Sequence, residues 1–209
     1  MKLILIHIPK TAGSAIYLTY KEDLFKYWGH DTRENDFETY AEYIIKNKNS
    51  FTHLKNLFLN SSKKDRIISF AVVRNTWDRV FSSYNYLSKG GLEVMDDKDY
   101  KQYVEPYDDF NHFVSEGLEK AYLEQIHFRS QLYWIADKHL NIQVDNVLHF
   151  ENIDKELEEF MNKYLIKPKK LMVYNKKGSI NYKDVYSKPS VKKVEEIYND
   201  EIQKFGFKY

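Results

Sequence analysis

The chain has 209 residues and a mass of 25.2 kDa, the size of one ordinary domain whose core needs no disulfide staples. Lys and Arg total 32 against 31 Asp and Glu, a net charge of +1, which argues against a generally basic nucleic-acid binder and an acidic tail protein. Hydrophobic residues at 43% and aromatics at 16% exclude disorder, and 7 Gly with 4 Pro exclude low-complexity and collagen-like chains. No cysteine is present, so disulfides, thiolate nucleophiles and cysteine-ligated zinc are out. The apolar run over residues 2–8 is too short for a signal segment, and no stretch reaches bilayer-crossing length. The expectation is a soluble, cytoplasmic protein with no membrane span.

In chain order, residues 3–8 form a short apolar run with the character of a strand buried on both faces. A weaker strand follows at 25–28, ended by Gly29. A third run covers 67–73, and behind it Trp77, Val80, Phe81, Tyr84 and Leu87 make one helical stripe. Residues 88–109, with Gly90-Gly91, several acids and Pro106, read as a mobile surface loop. The last strand is expected at 147–150, followed by a helical stripe of Ile153, Leu157, Phe160, Met161 and Tyr164. A final helix carries Val191, Val194, Tyr198, Ile202 and Phe205, with Pro189 in its first turn and Gly206 as its stop. Strands alternating with helices predict an α/β fold: a central parallel sheet flanked by helices, in one domain over 1–209.

The first motif that carries chemistry is Ile6-His7-Ile8-Pro9-Lys10-Thr11-Ala12-Gly13-Ser14. A strand runs into a tight loop of small residues and then a helix, whose backbone N–H groups can face an anion. Lys10 adds a charge, and Thr11 and Ser14 add hydroxyl donors. This is not a Walker A loop, because the lysine comes first and the leading glycine is absent. An ordinary strand-to-helix turn with a cap is the competing reading. His7 lies in the strand and reads as structural.

The second motif runs from Phe70 through Arg74-Asn75-Thr76-Trp77-Asp78-Arg79 to Ser82-Ser83-Tyr84. Arg74 stands at the carboxyl end of a buried strand, where open α/β sheets place their ligands, and its planar fork suits phosphate. Ser82, off the apolar stripe, offers a hydroxyl to the same anion. The alternative is a structural ion pair for Arg74 and a plain surface site for Ser82. Arg79 divides evenly between structure and function, and Asp78 serves the first helical turn.

These two segments together resemble the nucleotide-binding segments of family 2 sulfotransferases, a group similar to carbohydrate O-sulfotransferases. Further matches follow in order: Gly29-His30-Asp31-Thr32-Arg33, the segment Gln125-Ile126-His127-Phe128-Arg129-Ser130-Gln131, and His149-Phe150-Glu151-Asn152-Ile153. Thr76 stands where the family often has Pro, and His149 where Arg is common. The resemblance implies a P-loop-NTPase-like fold and the co-substrate PAPS (3′-phosphoadenosine 5′-phosphosulfate), released as PAP. It implies that Lys10, Thr11, Ala12, Gly13 and Ser14 hold the 5′-phosphosulfate, and that Arg74 and Ser82 hold the 3′-phosphate. Lys177, in Lys176-Lys177-Gly178, matches a basic segment that closes over the nucleotide, though an exposed lysine loop explains it equally well.

The implied chemistry is sulfuryl transfer to a hydroxyl acceptor, a carbohydrate by resemblance, with no metal. Lys10 suits the bridging oxygen that gains charge as the S–O bond breaks. The acceptor hydroxyl needs a general base, and His30, after Gly29 at a strand end, is favoured over His53, which sits among Phe51, Leu54, Leu57 and Phe58. Glu151 is a further candidate, better suited to orienting its loop. His127 and Gln131 either face the acceptor or pack on the core. Two rivals stand beside this reading. A P-loop kinase or NTPase lacks its Walker glycine and an acidic strand end for magnesium. A module binding anionic polymers through 163–193, where ten lysines face one acid, Asp184, sits poorly with the neutral total charge.

Overall fold

The computed structural model describes residues 2–27, 67–91, 94–172 and 180–209. In chain order the elements are β1 (Lys2–Ile6), α1 (Gly13–Tyr20), β2 (Leu24–Tyr27), β3 (Ile67–Val73), α2 (Thr76–Ser88) and α3 (Val94–Tyr103). A π-helical turn at Phe113–Gly117 leads into α4 (Leu118–Glu124). Then come β4 (Asn146–His149), α5 (Ile153–Lys163), α6 (Lys188–Ile197) and α7 (Asn199–Phe205). The chain packs as two compact units: Met1–Val73 with Gln131–Tyr174, and Arg74–Ser130 with Asn175–Tyr209. Among the described residues no helix is long and apolar enough to cross a membrane.

The first unit is an α/β layer built on a parallel sheet of order β2-β1-β3-β4. The two central strands pair along Lys2↔Ile67 to Ile6↔Ala71. Ile68, Ser69, Phe70, Ala71, Val72 and Val73 of β3 are all buried, so both faces of that strand are covered. This is why it reads as an unbroken apolar run with no alternation. Ile16 and Tyr20 of α1, and Leu157, Phe160 and Met161 of α5, pack into the same core as Leu3, Leu5, Phe70 and Val72. Asp145 locks the β3–β4 edge: one carboxylate oxygen accepts from the Ser69 N–H at 2.7 Å and its hydroxyl at 2.8 Å.

The second unit is helical. Trp77, Val80, Phe81 and Leu87 of α2 meet Phe113, Val114, Leu118, Phe128, Val194, Tyr198 and Ile202 in one core. Gly117 lets Tyr107 lie against the π-turn, since a Cβ there would stand 2.4 Å from the ring.

Three elements differ from the sequence reading by more than one residue at an end. β1 stops at Ile6, two residues short of the apolar run, and His7 and Ile8 already belong to the loop in which Lys10 turns left-handed. Residues 88–109 are not a loop throughout, since α3 occupies Val94–Tyr103, with Asp96 and Asp97 in its first turn and Lys101 in its last. The final helix is two helices, broken at Tyr198, whose hydroxyl donates to the Phe128 carbonyl. Pro189 in the first turn of α6 and a left-handed Gly206 after α7 are as expected.

The end of α5 carries a strained residue. Leu165 takes φ 59° and is 95% exposed, while Ile166 N–H bonds back to the Met161 carbonyl at 2.9 Å. That is the glycine position of a helix stop, filled by a leucine that buries nothing. Leu165→Gly should therefore raise stability by about 0.5–1 kcal/mol, the left-handed penalty less the entropy of an added glycine. Urea unfolding of the variant, with the slope unchanged, checks it.

Candidate functional site

The first site begins with sheet connectivity. From β1 the chain leaves through α1 to β2 on one side, whereas β4 lies on the other side of β3. The carboxyl ends of β1 and β3 therefore flank a topological switch point, the place where open α/β sheets leave a crevice for ligands. The loop of residues 7–12 fills the exit of β1.

Its geometry is unusual. Lys10 and Ala12 both have φ 68°, with Ala12 at ψ 8° standing as N-cap of α1. Left-handed conformations in non-glycine residues cost roughly 1–2 kcal/mol each, and a left-handed residue within a turn is one way successive backbone N–H groups come to face an anion. The Thr11 hydroxyl donates to the Ile8 carbonyl at 2.9 Å and is buried, so it closes the loop from inside. What Thr11 can offer an anion is its N–H. Lys10 and Ala12 are half-buried, Gly13 is buried and Ser14 is exposed on the first turn of α1.

In the second unit, Arg74 directly follows β3 and grips Asp78 in a two-point pair, Nε to Oδ2 at 2.8 Å and Nη2 to Oδ1 at 2.9 Å. Asn75 caps α2: its Oδ1 accepts from the Asp78 N–H at 3.5 Å, and its amide donates to the Lys208 carbonyl at 2.8 Å. Ser82 is half-buried on α2, one turn beyond Asp78. The ion-pair alternative for Arg74 is thus the geometry seen, with two of its five guanidinium N–H groups directed at Asp78.

Arg79 is resolved toward structure. It is fully buried, donates from Nη1 to the His127 carbonyl at 3.0 Å and from Nη2 to the Arg129 carbonyl at 2.6 Å, and lies 6.0 Å from the Tyr198 ring centre. Ser83 adds a bond to the same His127 carbonyl at 2.9 Å. Buried Glu201 accepts from the Thr76 and Ser130 hydroxyls at 2.7 and 2.9 Å. Burial holds the Tyr198 phenol well above its ordinary pKa, so it stays a donor to Phe128. This network, which the sequence reading did not anticipate, pins the 127–130 segment to α2.

His127 and Gln131 are buried, at 9% and 0% exposure. His127 lies against Tyr86, ring centres 5.1 Å apart, and its Nδ1 is 3.0 Å from the Gln125 amide nitrogen. That nitrogen also donates to Asp99 at 2.9 Å, while Tyr86 donates to Asp96 at 2.7 Å. The ligand-type atoms of Asp96, Asp99 and His127 lie within 4.8 Å of one another, a cluster invisible in the sequence because three separate segments supply it with Gln125 and Tyr86. Protein donors knit it together. Glu151 is exposed in the turn at Phe150–Asn152, directly after β4. His30, His53 and Lys177 lie outside the described residues.

Compared with protein-family models, with curated proteins and with solved structures, the chain matches none.

Arg79→Met should destabilise the fold by about 3 kcal/mol, since it takes the guanidinium donor from the Arg129 carbonyl and leaves the buried His127 carbonyl to the Ser83 hydroxyl alone. Urea unfolding measures this, and a loss below about 1 kcal/mol would remove Arg79 from the framework of the second unit.

Proposed function

We propose that the chain is a PAPS-dependent sulfotransferase that moves a sulfuryl group to a hydroxyl, with a carbohydrate as the acceptor class. The observation that carries this reading is the strained loop at the sheet's switch point, with Lys10 inside it and α1 behind it. The β2-β1-β3-β4 parallel order supports a P-loop-like arrangement, and the two motifs shared with family 2 sulfotransferases supply the choice of nucleotide.

In this reading the backbone N–H groups of residues 10–14 hold the 5′-phosphosulfate, and Arg74 with Ser82 holds the 3′-phosphate. Asp78 then orients the guanidinium by its two-point grip. The acceptor oxygen attacks sulfur, the bond from sulfur to the bridging oxygen breaks, and PAP leaves with that bond's electron pair. Lys10 meets the charge growing on the bridging oxygen. The acceptor proton passes to a general base, for which His30 is the first choice and His53 the second.

PAP at one hundred times its dissociation constant should stabilise the protein by about 2.7 kcal/mol, a rise of roughly 5–10 °C in melting temperature. ATP with magnesium should give no comparable shift. An unmoved melting curve at saturating PAP would count against the whole assignment.

Arg74→Ala should weaken PAP by about 1.5–3 kcal/mol, the worth of a hydrogen bond to a charged group. Unchanged titration by calorimetry would leave Arg74 as the structural partner of Asp78 alone. Lys10→Ala should lower turnover beyond its effect on PAP affinity, because its interaction strengthens only as the reaction proceeds. Equal losses in the two would make Lys10 a simple phosphate anchor.

A further inference from the structure

We infer that His7 is a positioning residue for the anion loop: its imidazole is the wedge that sets where α1 begins, and so where the loop's N–H groups point. The inference rests on the nucleotide reading above. His7 is the first residue beyond β1 and is 6% exposed. Gly13 is the first residue of α1. A Cβ placed on Gly13 would lie 2.1 Å from Cδ2 of His7, 2.8 Å from Nε2 and 3.0 Å from Cγ. The ring edge therefore lies flat against the Gly13 backbone, with no room for one methyl group.

The anchoring of the two ends makes this contact decisive for the loop. β1 is paired on both sides, to β2 and to β3, as far as Ile6, so His7 directly follows a strand anchored on both edges. Between His7 and Gly13 lie five residues, 8–12, two of which adopt left-handed conformations. Such conformations persist only when their surroundings over-determine them. The Thr11 hydroxyl ties the loop to Ile8, and the Ile16 N–H takes the Ala12 carbonyl as α1 starts. The ring adds what neither bond does, since it blocks the helix start from settling back toward the strand. With that space open, Lys10 and Ala12 can relax, and the loop's N–H groups turn away from the directions they hold beside the ring. Gly13 is then required for space at the ring, and His7 for the position of Gly13.

The test is calorimetric binding of two ligands, PAP and adenosine 3′-monophosphate, which lacks the 5′-phosphate. Wild type is compared with His7→Ala, Gly13→Ala and the double variant, with thermal melts of each. Each single variant should weaken PAP at least about tenfold, as for one lost bond to a charged group, and leave adenosine 3′-monophosphate within about twofold. The double variant should recover part of the PAP affinity, because the Gly13 methyl occupies space the ring has left. If His7→Ala does not fold, Gly13→Ala, which presses on the same ring, carries the comparison. PAP affinity equal to wild type in the folded single variants overturns the role of His7 and leaves the nucleotide reading standing. Equal losses for both ligands make the ring a general support of the fold and also overturn it. A wild type that binds neither ligand removes the nucleotide reading, and this inference with it.

Discussion

Parallel strands cannot be joined by a tight turn, and that constraint organises the first unit. Every strand must leave from the same edge of the sheet and return by a long connection. Because β1 leads to β2 on one side and β3 to β4 on the other, the exits of β1 and β3 diverge at the centre of the sheet. The central strands are sealed on both faces by apolar packing, so they carry little polar chemistry before they end. Lys10 and Arg74 are the first cations met after each of these two strands.

The sheet and the two long stripes were legible because burial on both faces erases alternation and burial on one helix face imposes the spacing of three and four. The apolar pattern could not reveal breaks made by tertiary contacts. Tyr198 keeps the stripe of the last helix in register, and no Gly or Pro marks the break. The interruption accompanies a phenol bonded to a distant carbonyl. Helix α3 was hidden for the opposite reason, since glycines and acids read as a loop. Gly91, at φ 58°, approaches Asp96 so closely that a Cβ would lie 2.2 Å from the Asp96 Cβ, which ties the turn to the helix.

The site residues divide in the same way. Arg79 could not be assigned from its type alone, yet its neighbours carried a signal. Thr76, Arg79 and Ser83 recur at three and four along α2, a polar stripe beside the apolar one. All three are buried, and each side chain donates to a partner distant in sequence. A polar residue on an apolar stripe suggests function, whereas several polar residues in helical register suggest a buried seam. The cluster around Asp96, Asp99 and His127 offered no such pattern, because α3, the 125–127 segment and Tyr86 of α2 each supply only part of it.

The loop after β1 shows a placement of glycine that ordinary turn-making does not explain. Two of its residues need left-handed backbone, and glycine would adopt it without strain. Lys10 and Ala12 stand there instead. The single glycine is at 13, where the ring of His7 leaves no space for a side chain. A loop that only connected a strand to a helix would relieve its strain at 10 and 12. This one keeps a charged side chain at 10, stays left-handed on both sides of Thr11, and places its glycine where helix and strand meet most closely. Left-handed residues of this kind persist only where their surroundings over-determine them, and here the Thr11 bond to Ile8, the start of α1 and the His7 ring bound the loop on every side.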